Sequence, residues 1–222
     1  MATSSSVAQT RTTTSRRVRV RRLIGLIVAL AGAALLIGTL ADFGAGLVQE
    51  HQLDQTWRQW RATHSVPAAS NTEPNPAWLH PVNGVDFAID VPKIGYFAAV
   101  REGVGSATLA SGPGHYPSMK WPGQQGNVGV AAHNIYWIRF DQIGPGDEVI
   151  LQTRWGDYRY QITSKRLVWP DDLTVLVPTT DHRLTLTTCW PLWAGAFANQ
   201  RLIFTAEQVY PNPNPSGPGT TG

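Results

Sequence analysis

Residues 23–41 form an uncharged, mostly apolar stretch, LIGLIVALAGAALLIGTLA, which decides how much of the chain is left for a folded domain. At about 1.5 Å per helical residue, these nineteen residues nearly cross a hydrocarbon layer of about 30 Å. A cleaved signal peptide is the alternative, but its apolar core is usually shorter, about 7–15 residues. Ala41 and the small residues 44–46 leave cleavage possible. The length favours an uncleaved transmembrane anchor over residues 23–41.

Charge is distributed unevenly around this stretch. Six basic residues and no acidic residue precede it: Arg11, Arg16, Arg17, Arg19, Arg21 and Arg22. The other twelve of eighteen basic residues and all fifteen acidic residues follow it, so the net charge of +3 becomes −3 (12 − 15) for the part after the stretch. Basic residues before a span predict a cytoplasmic tail at 1–22 and an extracellular remainder. The high pI therefore reflects membrane topology, and we predict no nucleic-acid partner.

The remainder contains room for one folded domain. Residues 42–77 are predicted as a juxtamembrane helix followed by a linker, because 65–77 (SVPAASNTEPNPA) is rich in Pro, Ser and Asn. Residues 211–222 (PNPNPSGPGTTG) cannot bury apolar surface and are predicted to be a disordered tail. Residues 78–210, about 133 in number, form the predicted domain.

Short apolar runs between glycine and proline turns dominate this domain. Seven of them are typical of β-strands, at 85–91, 96–100, 127–132, 148–153, 158–168, 184–189 and 201–206. Trp155-Gly156-Asp157 is predicted to join two of them as a hairpin. Strong helical periodicity is absent. The pattern predicts an all-β fold, either a closed or nearly closed barrel or a sandwich.

The chain contains one cysteine, Cys189, at the end of the strand-like run TLTTC (185–189). A single thiol in an oxidising extracellular setting is exposed to oxidation and indicates a reactive group. Free cysteine is also among the most buried residue types, so a purely structural role stays open. Of six histidines, His133 alone directly ends an apolar run, 128–132, as Cys189 ends another. Arg201 opens the last apolar run, either as a solvated arginine or as a cation beside the thiol.

Other chemistries lack their usual sequence patterns. One cysteine and no closely spaced histidine pair match no familiar zinc spacing, so we predict no metal. The glycines lie in turns and form no phosphate-binding loop or dinucleotide fingerprint, so we predict no cofactor. His115, in the loop GPGHYP (112–117), is expected either to line a cleft or to brace a turn.

Three blocks of sequence in this order resemble the sortases, the membrane-anchored cysteine transpeptidases of bacterial surfaces. They are IDVPKIG at 89–95, GPGHYP with PGQQGNVGVAAHN at 112–117 and 122–134, and TLTTC at 185–189 with Arg201 downstream. The details of the second block are similar to the class D and E type. The resemblance implies a closed or nearly closed β-barrel of about eight strands with short helices.

The resemblance also implies roles for individual residues. Cys189 matches the family's nucleophile, His133 its general acid and base, and Arg201 the group that stabilises the oxyanion and positions the substrate. The substrate-binding residues are left open, with Thr187, Thr188 and Ala132 as candidates. Ala132 stands where the family often has glycine, and Asn134 follows where many members carry Arg or Thr.

The implied reaction cleaves an LPxTG-like sorting signal of a secreted protein between Thr and Gly. The acyl group then passes from a thioacyl enzyme to an amine of a cell-wall precursor or a pilin-like subunit. The implied location is the cell membrane, crossed once, with the catalytic domain outside. Two alternatives stay open from the residues: an extracellular thiol peptidase with water as the acceptor, and a non-catalytic surface module.

Overall fold

The computed structural model describes residues 11–213, and the side chains from residue 18 onward. The first ten residues of the predicted basic tail and most of the predicted disordered tail, from residue 214, lie outside the described residues. The chain divides into two compact units, 1–45 and 46–222, which are described separately. Helix α1 is assigned to Arg11–Thr63 and contributes to both units.

In the first unit, α1 exposes nearly all of its described side chains. Large apolar residues such as Leu23, Ile27 and Leu35 are more than half exposed. Among the described residues, one helix is long and apolar enough to cross a membrane, judged by length and composition. This segment fits a single-pass membrane anchor at the position predicted from the sequence.

The second unit is built on a closed barrel of eight strands in the order β1-β2-β3-β4-β7-β8-β6-β5. The strands are β1 (Phe87–Val91), β2 (Tyr96–Glu102), β3 (Gly114–His115), β4 (Gly126–Ala132), β5 (Glu148–Gln152), β6 (Asp157–Val168), β7 (His182–Trp190) and β8 (Gln200–Tyr210). Two neighbouring pairs are parallel, β2 with β3 and β4 with β7, and the others are antiparallel. The predicted all-β barrel is confirmed, and all seven predicted strands are present.

Strand β3 is the one strand that the apolar pattern missed. It has two residues, too few to show alternation, and it pairs with β2 on one side and β4 on the other. His115 in this strand is buried, and its Nδ1 lies 3.0 Å from a carboxylate oxygen of the buried Asp86. Its Nε2 lies 3.0 Å from the carbonyl oxygen of Lys120. Of the two roles expected for His115, the structure shows the bracing one.

Alternation along the strands fills the barrel. In β7, Leu184 and Leu186 are fully buried in the core, together with Phe204 of β8 and Leu151 of β5. Trp137 stacks on Phe140 with 4.4 Å between ring centroids and closes the core beneath the loop after β4. Burial of such side chains contributes about 1.5–3 kcal/mol each, so the apolar core is the main source of barrel stability.

Short helices connect the strands. Helix α2 covers Ser106–Leu109, and 3-10 helices lie at Pro76–Trp78, Pro92–Ile94, Phe140–Gln142, Leu173–Leu176 and Leu192–Phe197, the last of which is interrupted by a kink at Gly195. The last two flank strand β7 and are called the 173–176 turn and the 192–197 loop below.

The part of α1 from residue 46 to residue 63 packs against the barrel within the second unit. Trp57 is only 3% exposed and contacts Ala88 and Ala99 in a small apolar cluster. A carboxylate oxygen of Asp54 accepts a hydrogen bond of 2.6 Å from the backbone N–H of Ala99 in β2. Arg61 donates to the carbonyl oxygen of Thr153 and pairs with Asp157, both at 2.9 Å.

Glu50, one turn before Asp54 on this helix, should make stability depend on pH. Burial, and secondly the neighbouring Asp54, raises the pKa of Glu50 to about 7. Because this value exceeds that of an unfolded glutamate, the folded chain binds more protons, and the stability contributed by Glu50 is lost as the pH rises toward 7. We expect Glu50→Gln to raise the unfolding temperature at pH 8 by a few degrees, corresponding to about 1 kcal/mol after allowance for solvent screening.

Tryptophan fluorescence of the full chain in detergent micelles measures this effect. At pH 3.5 the substitution should give almost no gain, because Glu50 is then largely protonated in both the folded and the unfolded state. The exposed Glu207→Gln on β8 is the matched control and should be neutral at both pH values. An equal gain for Glu50→Gln at both pH values would contradict the assigned cause.

Candidate active site

Strand pairing brings the three predicted catalytic residues together. β4 runs parallel to β7 with Ala132 opposite Thr188, so His133, the next residue, emerges beside Cys189. β7 runs antiparallel to β8 with Cys189 directly opposite Arg201. The three side chains therefore come from neighbouring strands at one end of the barrel.

All three side chains line one cavity of about 250 Å³ on the outer face of these strands. Thr187 and Ile203 also line it, as expected for residues two positions along from Cys189 and Arg201 on the same face. The remaining lining residues come from β4, β6, β7, helix α2 and the surrounding loops: Val104, Leu109, Tyr116, Ala131, Ala132, Val168, Pro170, Asp172, Leu173, Val175, Leu176 and Thr188. The wall is mainly apolar, which suits an extended peptide with few charges.

Cys189 is a free, half-buried thiol. His133 is also half-buried, and burial lowers the pKa of its imidazole from the ordinary value. The neutral ring, which accepts a proton, therefore persists to more acidic pH than in an exposed histidine. A thiol next to such a ring has the partner that nucleophilic catalysis requires.

Arg201 keeps most of its hydrogen-bonding capacity free for a ligand. Its Nη1 donates to the carbonyl oxygen of Gln200 at 3.1 Å. Among residues 18–213, whose side chains are described, no carboxylate forms an ion pair with it. A planar guanidinium with free donors beside a nucleophile can stabilise a developing oxyanion.

The three candidate substrate-binding residues all line the cavity, but in different ways. The hydroxyl of Thr187 shares a hydrogen bond of 3.0 Å with that of Tyr116. Ala132 belongs to the barrel core, and the Thr188 hydroxyl is buried without a hydrogen-bond partner in the described structure. Their roles toward a substrate stay predictions.

Sequence reasoning assigned Tyr116 no catalytic role and did not place it in the cavity, and it missed the apolar wall of the 173–176 turn. Tyr116 lies in the loop GPGHYP, which the sequence analysis singled out, but the sequence did not show that its side chain faces the cavity. In the 173–176 turn, Leu173, Val175 and Leu176 line the cavity although none of the turn's side chains is buried. Their alignment depends on the pairing of distant strands, which local patterns do not reveal.

The described side chains, those of residues 18–213, form no metal-binding centre. No group of three or more His, Cys, Asp and Glu side chains there could hold a metal ion.

Comparisons with known proteins agree with this geometry. The family model of the sortase domain matches residues 89–209, more than half of the chain, so the chain belongs to the sortase family. It is 27% identical to sortase D of Bacillus subtilis (strain 168) over 197 residues, covering 83% of this chain and 93% of that protein. As a sortase, it is a cysteine transpeptidase that cleaves sorting signals.

Solved sortase structures share the barrel. The Clostridium perfringens sortase D5 transpeptidase superposes with a TM-score of 0.57 at 20% identity, over 73% of this chain and 99% of that one. A point mutant of sortase E from Streptomyces avermitilis gives a TM-score of 0.50 at 28% identity, over 58% and 90%. The similarity to sortase D of B. subtilis supports the class D and E leaning of the sequence blocks.

Proposed function

We propose that this sortase joins surface proteins to an amine acceptor by cleaving an LPxTG-like signal between Thr and Gly, with Cys189, His133 and Arg201 as its catalytic residues. The observation that carries the proposal is the convergence of these three side chains in one cavity at the ends of β4, β7 and β8. Each matches a position of the sortase sequence pattern, and each has the chemistry that its step requires.

In the first half of the reaction, the Cys189 thiolate attacks the threonine carbonyl carbon. The carbonyl electrons move onto oxygen, and the Arg201 guanidinium stabilises the resulting oxyanion. When the tetrahedral intermediate collapses, the Thr–Gly bond breaks and protonated His133 donates its proton to the leaving glycine amine. The products are a thioacyl enzyme and a released C-terminal fragment.

In the second half, an amine acceptor attacks the thioacyl carbonyl. Neutral His133 accepts the proton of the amine, and the lowered pKa of His133 supports this role at neutral pH. Collapse of the second intermediate forms an amide bond and returns the Cys189 thiolate. The acceptor class is an amine of a cell-wall precursor or of a pilin-like subunit.

The apolar part of α1 and the arginines before it support an orientation of the chain for this reaction. With the arginine-rich tail in the cytoplasm, residues 42–222 lie outside the cell. A sorting signal is followed by a membrane segment of its own protein, so anchoring both partners in one bilayer raises their effective concentration.

An LPxTG peptide, incubated with the full chain in detergent micelles, tests the proposal. With an added amine such as triglycine, mass spectrometry should show the amide product, and without it only slow hydrolysis. If hydrolysis exceeds transfer with every amine tried, the transferase proposal is wrong and the peptidase alternative is correct. If native Cys189 fails to react with a thiol reagent that labels it after unfolding, the site is not catalytic.

Arg201→Lys should lower kcat/KM by about tenfold, less than the roughly 10²–10³ expected for loss of an oxyanion donor, because lysine keeps the charge but not the planar fork. Peptide cleavage kinetics measure the change. Arg159→Lys, at an exposed arginine of β6, is the matched control and should leave the kinetics unchanged. Equal activity of Arg201→Lys and the control would rule out a role for the guanidinium geometry.

A further inference from the structure

Strand β4 has a buried asparagine near each end, and each one donates to a loop beside the active-site cavity. Asn127 is the second residue of β4, and Asn134 follows His133 just beyond the strand. They are 3% and 4% exposed, although asparagine is usually a surface residue. A buried amide must find partners for its polar atoms, and the partners found here are informative.

Asn134 connects the segment after His133 with the segment after Cys189. Its Nδ2 donates to the carbonyl oxygen of Pro191 at 3.3 Å and to that of Gly195 at 3.2 Å. Pro191 is two residues beyond Cys189, and Gly195 lies inside the 192–197 loop. One side chain therefore spans the two chain segments that carry the nucleophile and the acid–base group.

The two carbonyl groups that Asn134 binds also close the turns of this loop. Ala194 N–H donates to the Pro191 carbonyl oxygen at 3.1 Å, and Ala198 N–H donates to that of Gly195 at 3.3 Å. Both N–H groups of the Asn134 amide thus fasten the loop at its turn-closing points. Gly195 has φ +52° and ψ −126°, a conformation that favours glycine.

Side-chain packing holds this loop only weakly. Leu192 is its one buried residue, whereas Trp193 and Phe197 are 82% and 92% exposed. Within the described part of the chain, the side-chain hydrogen bonds that join this loop to the segment bearing His133 are those of Asn134. They are long bonds, so their loss should disturb loop placement more than overall stability.

Asn127 makes a corresponding connection to the 173–176 turn, which forms another wall of the cavity. Its Oδ1 accepts a hydrogen bond of 2.9 Å from the Thr185 hydroxyl, which orients the amide. Its Nδ2 then lies 3.4 Å from the carbonyl oxygens of both Val175 and Val177, at the end of the 173–176 turn. That turn has no buried side chain of its own, yet it supplies Leu173, Val175 and Leu176 to the cavity wall.

We propose that Asn134 and Asn127 are positioning residues with divided tasks: Asn134 holds the Cys189 loop in register with His133, and Asn127 holds the 173–176 wall against the peptide substrate. The proposal rests on the proposed function of Cys189 and His133. Neither asparagine is assigned to touch the reacting atoms, so each acts through a loop that it fastens.

Asn134→Ala is expected to lower kcat about tenfold with KM within about twofold, because displacement of catalytic groups by about 1 Å or less is costly. The full chain in detergent micelles, the LPxTG peptide and a triglycine acceptor provide the assay. Alkylation of Cys189 by iodoacetamide should also slow several-fold in this variant, since a displaced His133 activates the thiol less. A purely structural asparagine would change neither quantity at a temperature well below unfolding.

Asn127→Ala is the matched variant at the other end of the same strand. It should raise KM about threefold to fivefold with kcat within about twofold, because a loosened wall weakens substrate binding in the ground state and in the transition state alike. Its iodoacetamide rate should equal that of the unsubstituted chain, because the loop after Cys189 is untouched.

Gly195→Ala tests the Asn134 contact from its other partner. A Cβ at Gly195 would meet nothing within 4 Å, so only the positive φ opposes alanine there. Because Gly195 is exposed, the substitution should not unfold the barrel. We expect the same selective fall in kcat. The double variant Asn134→Ala/Gly195→Ala should lose little more than either single variant, because both break one connection.

Three results would overturn the proposal. One is unchanged kcat and alkylation in Asn134→Ala, the second is a kcat loss in Asn127→Ala as large as that in Asn134→Ala, and the third is full additivity with Gly195→Ala. Failure of the proposed function looks different: the unsubstituted chain then turns over no peptide, while the alkylation rates still report whether Asn134 positions His133 beside Cys189.

Discussion

Replacing Cys189 with alanine should reduce peptide cleavage and transfer by at least about 10⁴-fold, to the background of the assay, because no other thiol is present to form the acyl intermediate. The thiol lines the cavity, and alanine fits in its place without a clash. The variant should therefore fold normally and bind the peptide while failing to react. Cleavage of a fluorogenic LPxTG peptide by the full chain in detergent micelles measures the loss.

Fluorescence-monitored unfolding serves as the control for this experiment. An unfolding temperature within a few degrees of the original shows that the loss of activity is chemical. Residual cleavage clearly above the background of the assay would mean that a different group performs the reaction, and the assignment of Cys189 would be wrong.

His133→Ala should lower kcat/KM by about 10²–10⁴-fold, the range typical of general acid–base catalysis. Two proton transfers depend on this ring in the proposed mechanism, one to the leaving amine and one from the acceptor. The variant should lose most of its transfer to triglycine, and a small added base such as imidazole should restore part of it. Partial rescue is expected because the alanine leaves space in a cavity that already reaches solvent.

His80→Ala provides the matched comparison. His80 is an exposed histidine outside the cavity, and its substitution should change kcat/KM by less than about twofold. A loss in His133→Ala no greater than that in His80→Ala would contradict the acid–base role.

The barrel could be predicted because most of its strands show their apolar pattern within their own few residues. Alternating residues such as Leu184 and Leu186 show which face of β7 contributes to the apolar core, although Thr185 and Thr187 on the other face are buried too. Glycine and proline turns separate the runs. Strand β3 escaped because its two residues, Gly114 and His115, hold no pattern of their own. Its existence depends on β2 and β4, which are already paired elsewhere.

For the candidate active site, the sequence suggested the members but did not show how they come together. The positions of His133 and Cys189 at strand ends follow from apolar runs, and the sortase resemblance supplied their roles. Their proximity follows from the parallel pairing of β4 with β7, which are separated by about fifty residues of chain. Long-range pairing of this kind is set by the whole core and not by any local run.

Buried polar contacts were the least visible features in the sequence. Nothing in the sequence around Asn127 and Asn134 marks them as buried, and their proposed role depends on carbonyl groups 48–61 residues away. The same holds for Asp54, whose partner Ala99 lies 45 residues along the chain. The juxtamembrane helix could therefore be predicted from the sequence, but the contacts by which it packs on the barrel could not.

Detection of a thioacyl bond on Cys189 would test the central claim most directly. The full chain in detergent micelles is mixed with an LPxTG peptide, quenched in acid within seconds, and measured by intact-protein mass spectrometry. We predict a mass gain equal to the peptide up to its threonine, located at Cys189 after digestion, lost on addition of hydroxylamine and absent from Cys189→Ala. Peptide cleavage without any adduct on Cys189 would contradict the account.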